Sequence, residues 1–441
     1  MAKIILAFTG NELGYRNYSQ FIKNVFMSDC CSAPGLMAFD LALKQLLDNV
    51  PDPENSQQVA IENALGKVLA GDVISPVFVP PHNNSAMDGY AFNYQVSVQA
   101  INANSGLDIV GRSFAGEPFT GQTQPGQSIR IMTGAKMPSC CDTVVMQENT
   151  EVKDGQLHLI KAPVANSNVR IQGEDIQLND KVLTKGHKLT AINIGVLASL
   201  GIAKIEVFAP LTVAVLSTGD ELRTPGEPLN DGDIYESNRF ALIALLEKLN
   251  VNILDLGIIR DDKAAITNAF IQADVEADVV ISSGGVSVGE ADYTKEVLAE
   301  LGEINFWKIA MKPGKPFAFG KLANSIFFGL PGNPVSALVT FYQLATPGIE
   351  KMQGLPFKAK PKFLAKSTSK LKKSPGRMDF QRAILHFNEN GEAQVTSTGS
   401  QGSGILSSLG AANSFIVLDS EQGSVEAGDM VFVEPYSALF Q

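Results

Sequence analysis

DVVISSGGVSVGEADYTK, residues 278–295, is the stretch from which the rest of the chain can be read. Val279, Val280 and Ile281, followed by the small Ser282, form an apolar run that stops at Gly284-Gly285, the pattern of a buried strand ending in a turn. Tyr293, Val297, Leu298 and Leu301 then recur at helical spacing. A strand that breaks at glycines and reopens as a helix leaves backbone N–H groups and a positive dipole end facing outward, which suits an anion such as phosphate. Glu290 and Asp292 lie at the same mouth. Carboxylates beside an anion site make chemical sense if Mg2+ bridges them to phosphate oxygens, although Asp292 has an equal reading as a helix cap.

The chain is longer than one compact core allows: 441 residues imply three or four folding units. A net charge of -11, with no basic run beyond residues 370–373, disfavours nucleic acid or an anionic membrane as the main partner. An anionic substrate therefore requires local lysines and helix ends. Cysteines occur as two vicinal pairs, Cys30-Cys31 and Cys140-Cys141, without zinc spacing, and are read as reduced structural thiols of a cytoplasmic protein. Four scattered histidines exclude a zinc motif of the HExxH kind. Residues 4–8 are too short for a signal core or membrane span, and residues 1–26 match no packed element, so Met27 is an alternative natural start.

Residues 36–50 read as an amphipathic helix ended by Pro51, followed by a short strand at Val59 and Ile61 and a short helix over 64–69. A Gly- and Pro-rich β region follows, including strands over 128–132 and 143–147. Thr190 caps a helix closed by Gly201. The helices on either side of the β region are expected to pack together. This gives an N-terminal extension (1–35), a helical linker domain (36–75 plus 173–209) and an inserted β domain (76–172).

From Leu211 the pattern becomes repeated strand-turn-helix, with strands over 213–216, 251–259 and 279–282 and helices over 240–249 and 264–273. This alternation predicts a doubly wound, mostly parallel sheet over 210–353, with ligands gathered beyond the carboxyl ends of its strands. Ser217-Thr218-Gly219-Asp220-Glu221 and Arg260-Asp261-Asp262 fall at such ends. Residues 303–311 read as one further strand, putting Lys308 and Lys312 on one side, and Lys312-Pro313-Gly314-Lys315-Pro316 as a rigid turn. Pro331-Gly332-Asn333-Pro334 opens a helix through Leu344. Alternating strands over 380–387, 393–397, 414–418 and 430–433 predict a small C-terminal β barrel, residues 354–441.

Any one of these charges is ordinary for a solvated loop. Their convergence at one sheet edge is what selects a site of opposed charge, with carboxylates for a metal and lysines for phosphoryl oxygens. A second polar cluster lies in the β region: residues 83–90 with Asp88, Met132-Thr133-Gly134-Ala135, and Gly173-Glu174-Asp175-Ile176. Taken singly, these last residues also suit turns.

NSAMDGYA (84–91), RIMTGA (130–135), GEDI (173–176), LSTGDEL (216–222), GIIRDD (257–262), ISSGGVSVGEADYTK (281–295), KPGKPFAFGKL (312–322) and LPGNPVSA (330–337) together resemble the MoeA family of molybdopterin molybdenumtransferases, which includes the E domain of gephyrin. The resemblance implies Mg2+-dependent insertion of molybdate into adenylylated molybdopterin with release of AMP. It also implies a cytoplasmic homodimer whose active site is shared between the sheet domain of one subunit and the β domain of the other, and a possible encounter with the molybdopterin adenylyltransferase.

By match to the family motifs, the catalytic positions are Asp88, Thr133, Asp175, Glu221, Lys308 and Lys312, and the metal positions Glu221, Asp261 and Asp292. Gly284, Gly285, Ser287, Lys315, Pro331, Pro334 and Ser403 are the corresponding cofactor-binding positions. Glu236 stands where the family often has Asp, and Asn83 where an acidic residue is common. The sheet domain also resembles the molybdopterin adenylyltransferases, but Gly284-Gly285-Val286-Ser287 lacks their Gly-Gly-Thr-Gly type of turn. A scaffold role like that of gephyrin is the remaining alternative.

Overall fold

The computed structural model describes residues 35–103, 105–285 and 293–441. Within the described chain two compact units form, one from residues 35–54 with Ala209–Gln441 and one from Asn55–Phe208. Met27, Cys30, Cys31, Ser287, Glu290 and Asp292 lie outside the described residues.

The first unit is built on six strands: β1 Thr212–Thr218, β2 Asn252–Ile259, β3 Val279–Ser283, β4 Glu303–Lys308, β5 Pro316–Lys321 and β6 Ile326–Leu330. They lie in the order β2-β1-β3-β6-β5-β4. The first four in that order are parallel, and β5 runs antiparallel to both its neighbours. Every residue of β3 is buried, because both faces of the sheet are covered. Val213, Val215, Val279 and Ile281 face a core that includes helix Asn238–Lys248 and helix Pro334–Thr340. Ala214, Leu216 and Val280 face the opposite core with helices Lys263–Glu276 and Tyr293–Leu301. This is the expected doubly wound sheet. Its crossovers diverge at β1, which carries β2 on one flank and β3 on the other, so the ligand crevice of such a fold falls at the ends of β1 and β3.

Two expectations for this unit are corrected. Residues 303–311 are not one strand: the chain leaves the sheet after Lys308, and Met311–Lys312 pairs instead with Met378–Asp379. The parity argument for Lys308 and Lys312 therefore does not hold. Strand β5, hidden in the sequence by the Lys-Pro-Gly-Lys-Pro turn, returns antiparallel to β4. The C-terminal segment closes a barrel of β7 Phe363–Ser367, β8 Met378–Phe387, β9 Ala393–Ser397, β10 Ser414–Leu418 and β11 Met430–Pro435. Pairings β8-β9, β9-β7, β7-β11, β11-β10 and β10-β8 complete the ring.

Helix Phe39–Asn49 brings a further correction. The expectation sets it beside the helix that follows the β region. Phe39, Ala42 and Leu46 insert instead into the core beneath the first unit's sheet, where Phe39 meets Phe380 edge-on at 5.4 Å.

The second unit carries a six-stranded sheet ordered Thr143–Met146, Gly89–Phe92, Gln127–Ile131, Leu107–Ser113, Gln156–Leu159, Thr150–Lys153. Its flanking part is largely ribbon: Ser56–Ala60 pairs with Lys204–Phe208, and Val73–Ile74 with Lys181–Leu183. Helix Ala191–Ser199 opens on the expected Thr190, whose hydroxyl accepts from Asn193 in a capping box. The short helix expected over 64–69 is absent from these described residues. Gly66 sits at φ +75° there, which turns the chain, and Val68 and Leu69 bridge to Lys188 and Val207.

Candidate functional site

The crevice at the ends of β1 and β3 is shaped by glycines. Gly284 and Gly285 have φ of +93° and +65°, a region that side chains disfavour. A Cβ on Gly284 would lie 2.8 Å from the carbonyl oxygen of Thr218, and one on Gly285 would run into Thr294 Oγ1. The turn can thus pass only as bare backbone between the end of β1 and the next helix. Among the described residues, Thr218 Oγ1 is buried there without a hydrogen-bond partner. Asn238, which sequence reasoning missed, ties the crevice together: its Nδ2 donates to Ser283 Oγ and to the Gly332 carbonyl, both at 2.8 Å.

Asp220 and Glu221, after β1, and Asp261, after β2, are exposed on the same rim. The Asp261 N–H donates to Asp220 Oδ1 at 3.2 Å. Partial removal from water, then the charges of Asp220 and Glu221, push the Asp261 carboxyl above the usual range. This excess of hard oxygen charge suits a divalent cation. Among the described residues no three His, Cys, Asp or Glu side chains are close enough to form a metal-holding group. The neighbouring Asp262 turns away from the rim and caps helix Lys263–Glu276, its side chain accepting from the N–H of Ala265 at 2.9 Å. Glu236 is buried and accepts from the Arg239 N–H at 2.8 Å and Ser217 Oγ at 3.3 Å, so it packs beneath the rim instead of facing it.

Because β4 is antiparallel to β5, which is antiparallel to β6, β4 ends on the same rim as β6 and β3. The turn from Lys308 to Lys315 therefore brings its cations to that edge. Lys308 and Lys315 are exposed, and Lys312 Nζ stands 3.5 Å from Asp379 Oδ2. Gly314, at φ +104°, presses the turn against Thr340 of the helix that Pro334 opens. Pro331 and Pro334 bracket the loop between β6 and that helix. The helix's Val335 N–H donates to the Ser403 carbonyl at 3.0 Å, so this donor is already engaged. Arg382, also missed, is fully buried and donates to the carbonyl of Gly402 at 3.0 Å and to Ser408 Oγ at 3.0 Å, which fixes the loop bearing Ser403.

In the second unit, Asp88 and Thr133 meet directly. Asp88 Oδ1 accepts from the Thr133 N–H and the Thr133 hydroxyl, each at 2.7 Å. These bonds hold the Asp88 carboxyl below the usual carboxylate range. Arg130 supports the segment by donating to the Gly89 carbonyl at 2.8 Å while its guanidinium covers the Tyr90 ring. Asn83 Oδ1 accepts from the Gln172 N–H at 2.8 Å, joining the loop that leads to Asp175, whose own N–H donates to the Val79 carbonyl. The sequence-derived positions thus fall into two groups: Gly284, Gly285, Glu221, Asp261, Lys308, Lys312, Lys315, Pro331, Pro334 and Ser403 in the first unit, and Asp88, Thr133 and Asp175 in the second.

Residues 37–201 match the family described as MoeA N-terminal region (domain I and II), residues 214–351 the probable molybdopterin binding domain, and residues 365–436 the MoeA C-terminal region (domain IV). The chain is 48% identical over 406 residues to a molybdopterin molybdenumtransferase of Haemophilus influenzae, covering 92% of this chain and 100% of that one. The chain belongs to the MoeA family. A molybdopterin molybdenumtransferase of Nostoc is 35% identical over 88% of this chain and 90% of its own length. Gephyrin of Dictyostelium discoideum is 30% identical over 91% of this chain and 62% of its own. A crystal structure of the MoeA protein from Pyrococcus horikoshii superposes with a TM-score of 0.77 at 31% identity, covering 92% of this chain and 99% of that one. The MoeA fold thus extends through the sheet, the barrel and the β-rich unit alike.

Proposed function

We propose that this chain is a molybdopterin molybdenumtransferase of molybdenum cofactor biosynthesis, inserting molybdate into adenylylated molybdopterin with release of AMP. The observation that carries this reading is the convergence of carboxylates, lysines and bare glycine backbone on the rim at the ends of β1 and β3. Family membership supplies the substrate class.

In this reading Gly284 and Gly285 let the nucleotide approach the backbone, and Lys308, Lys312 and Lys315 bind its phosphoryl oxygens and the molybdate anion as point charges. Glu221 and Asp261, with Asp292 beyond the described residues, would hold Mg2+; their oxygen chemistry and the raised Asp261 carboxyl support that choice. When bound, Mg2+ supplies Lewis-acid neutralisation of the charge that develops on the leaving phosphate. Asp88, kept ionised by Thr133, provides a fixed carboxylate acceptor, and Asp175 lies on the neighbouring loop.

The two groups of site residues are accounted for if the protein is a homodimer in which the β-rich lobe of one subunit completes the rim of the other. A cytoplasmic location and a handover of substrate from an adenylyltransferase accord with this chemistry. Among the described residues no helix is long and apolar enough to cross a membrane. The test is single-turnover incubation with adenylylated molybdopterin, molybdate and Mg2+. AMP should appear together with molybdenum-loaded product, and Glu221→Gln should abolish both. Nucleotide formation from ATP and molybdopterin by the unaltered protein would instead mark an adenylyltransferase.

A further inference from the structure

The barrel contributes one group that faces the rim. Strand Met311–Lys312 runs parallel to Met378–Asp379, and the Met378 N–H donates to the Ala310 carbonyl at 2.8 Å, so the register sets Lys312 opposite Asp379. The pair is lopsided: the Asp379 side chain is 4% exposed and the Lys312 side chain 44% exposed, with Nζ 3.5 Å from Oδ2. Asp379 Oδ2 also accepts from Gln381 Nε2 at 3.3 Å, which fixes the carboxylate from its own strand.

A second lysine lies behind the pair. Lys373 is buried, and its Nζ is tied to the carbonyls of Ser374 at 3.3 Å and Arg377 at 2.8 Å. Burial holds its ammonium below the usual lysine range, and it feels Asp379 and Asp419 as attractive charges and Lys312 and Arg377 as repulsive ones. The buried carboxylate thus attracts both a buried lysine tied to two backbone carbonyls and a lysine whose head reaches solvent. Without the carboxylate, the charges of Lys373 and Lys312 repel unopposed by Asp379, and Lys312, the more exposed of the two, is the one with room to swing away.

We propose that Asp379 is the positioning residue for Lys312, a buried carboxylate lent by the C-terminal barrel that holds the lysine head at the rim to receive the pyrophosphate of the nucleotide substrate. This deepens the molybdenumtransferase reading and rests on it. It also gives the barrel a further part in the site beside Ser403, since Asp379 lies at the start of β8. Asp379 acts through Lys312 and touches no reacting atom.

The experiment uses the full chain in four forms: unaltered, Asp379→Asn, Lys312→Ala and the double variant. KM and kcat are measured for AMP release, with circular dichroism as the check on folding. The expected result is a rise in KM of roughly tenfold in each single variant, a smaller change in kcat, and a double variant no worse than Lys312→Ala alone. Asp379→Glu keeps the charge and moves it by one methylene. It should also raise KM, whereas a carboxylate needed only to neutralise Lys373 would tolerate the change, and this variant carries the test if Asp379→Asn fails to fold. Unchanged KM in the folded Asp379 variants beside an impaired Lys312→Ala overturns the proposal and leaves the reading of the rim standing. Additive losses in the double variant overturn it as well, by separating the two residues. An unimpaired Lys312→Ala removes Lys312 from the machinery and refutes both.

Discussion

Asp88 Oδ1 accepts two hydrogen bonds from Thr133, one from its N–H and one from its hydroxyl, each at 2.7 Å. Double acceptance from one residue fixes the carboxylate and favours its charged form. Asp88→Asn turns that acceptor into a neutral amide at a position that is not part of a buried core. Turnover is expected to fall by roughly a hundredfold or more with the thermal melt nearly unchanged. Near-normal AMP release by this variant would remove Asp88 from the chemistry.

Asp261 makes a prediction of the opposite electrostatic sign. Its carboxyl is raised by partial burial and by Asp220 and Glu221, so the folded chain binds its proton more tightly than the unfolded chain does. Stability linked to this group is present at acid pH and is lost as pH rises through its unfolded and then its folded value. At neutral pH, Asp261→Asn should therefore raise the melting temperature slightly while abolishing turnover. Added Mg2+ should stabilise the unaltered protein more than the variant, and differential scanning calorimetry with and without Mg2+ checks both.

Gly284→Ala tests the crevice. The new Cβ would stand 2.8 Å from the Thr218 carbonyl, at a φ of +93°. We expect a loss of roughly 1–3 kcal/mol in urea unfolding and at least a tenfold fall in turnover. Gly226→Ala, with φ +100° and open space around its Cβ position, should show only the backbone part of that loss.

Lys360 tests a buried charge away from the rim. After helix Pro334–Thr340 the chain makes a wider turn over Phe341–Ala345, where the Thr346 N–H reaches Phe341 and Pro347 has no N–H to offer. Lys360 Nζ supplies the Tyr342 carbonyl with a donor at 2.6 Å and sits over the Tyr342 ring. Burial lowers its ammonium to about 8. Lys360→Met should cost about 1–3 kcal/mol by leaving that carbonyl unpaired. The folded chain sheds this proton before the unfolded chain does. The stability gap between the unaltered protein and the variant should therefore widen as pH rises from about 8 to about 10, measured by urea unfolding across that range.

The parts legible in the sequence are those decided locally. Val279 to Ser283 followed by two glycines marks the central strand and its turn, and Thr190 with Asn193 marks a helix start, because period and capping act within a few residues. Strand β5 is illegible because Pro316, usually a breaker, begins an edge-side strand, and the split after Lys308 because a second sheet captures Met311–Lys312. Within Arg260-Asp261-Asp262, alternatives of equal charge are separated only by a tertiary contact: Asp262 caps a helix, and Asp261 reaches Asp220. Asn238, Arg382 and Asp379 escape sequence reasoning for the same reason. Each acts on a loop far along the chain, and nothing in its own neighbourhood marks it.

The most direct test of the account is complementation between two inactive proteins. Asp88→Asn and Glu221→Gln are each expected to be inactive, one spoiled in the β-rich lobe and the other at the sheet rim. Unfolded together and refolded at equal amounts, they should regain AMP release and molybdenum insertion to about a quarter of the unaltered rate. Half the dimers would then be mixed, each with one of its two sites intact. Activity of the mixture no higher than that of either variant alone, with mixed dimers demonstrated by mass spectrometry, would contradict a site shared between subunits.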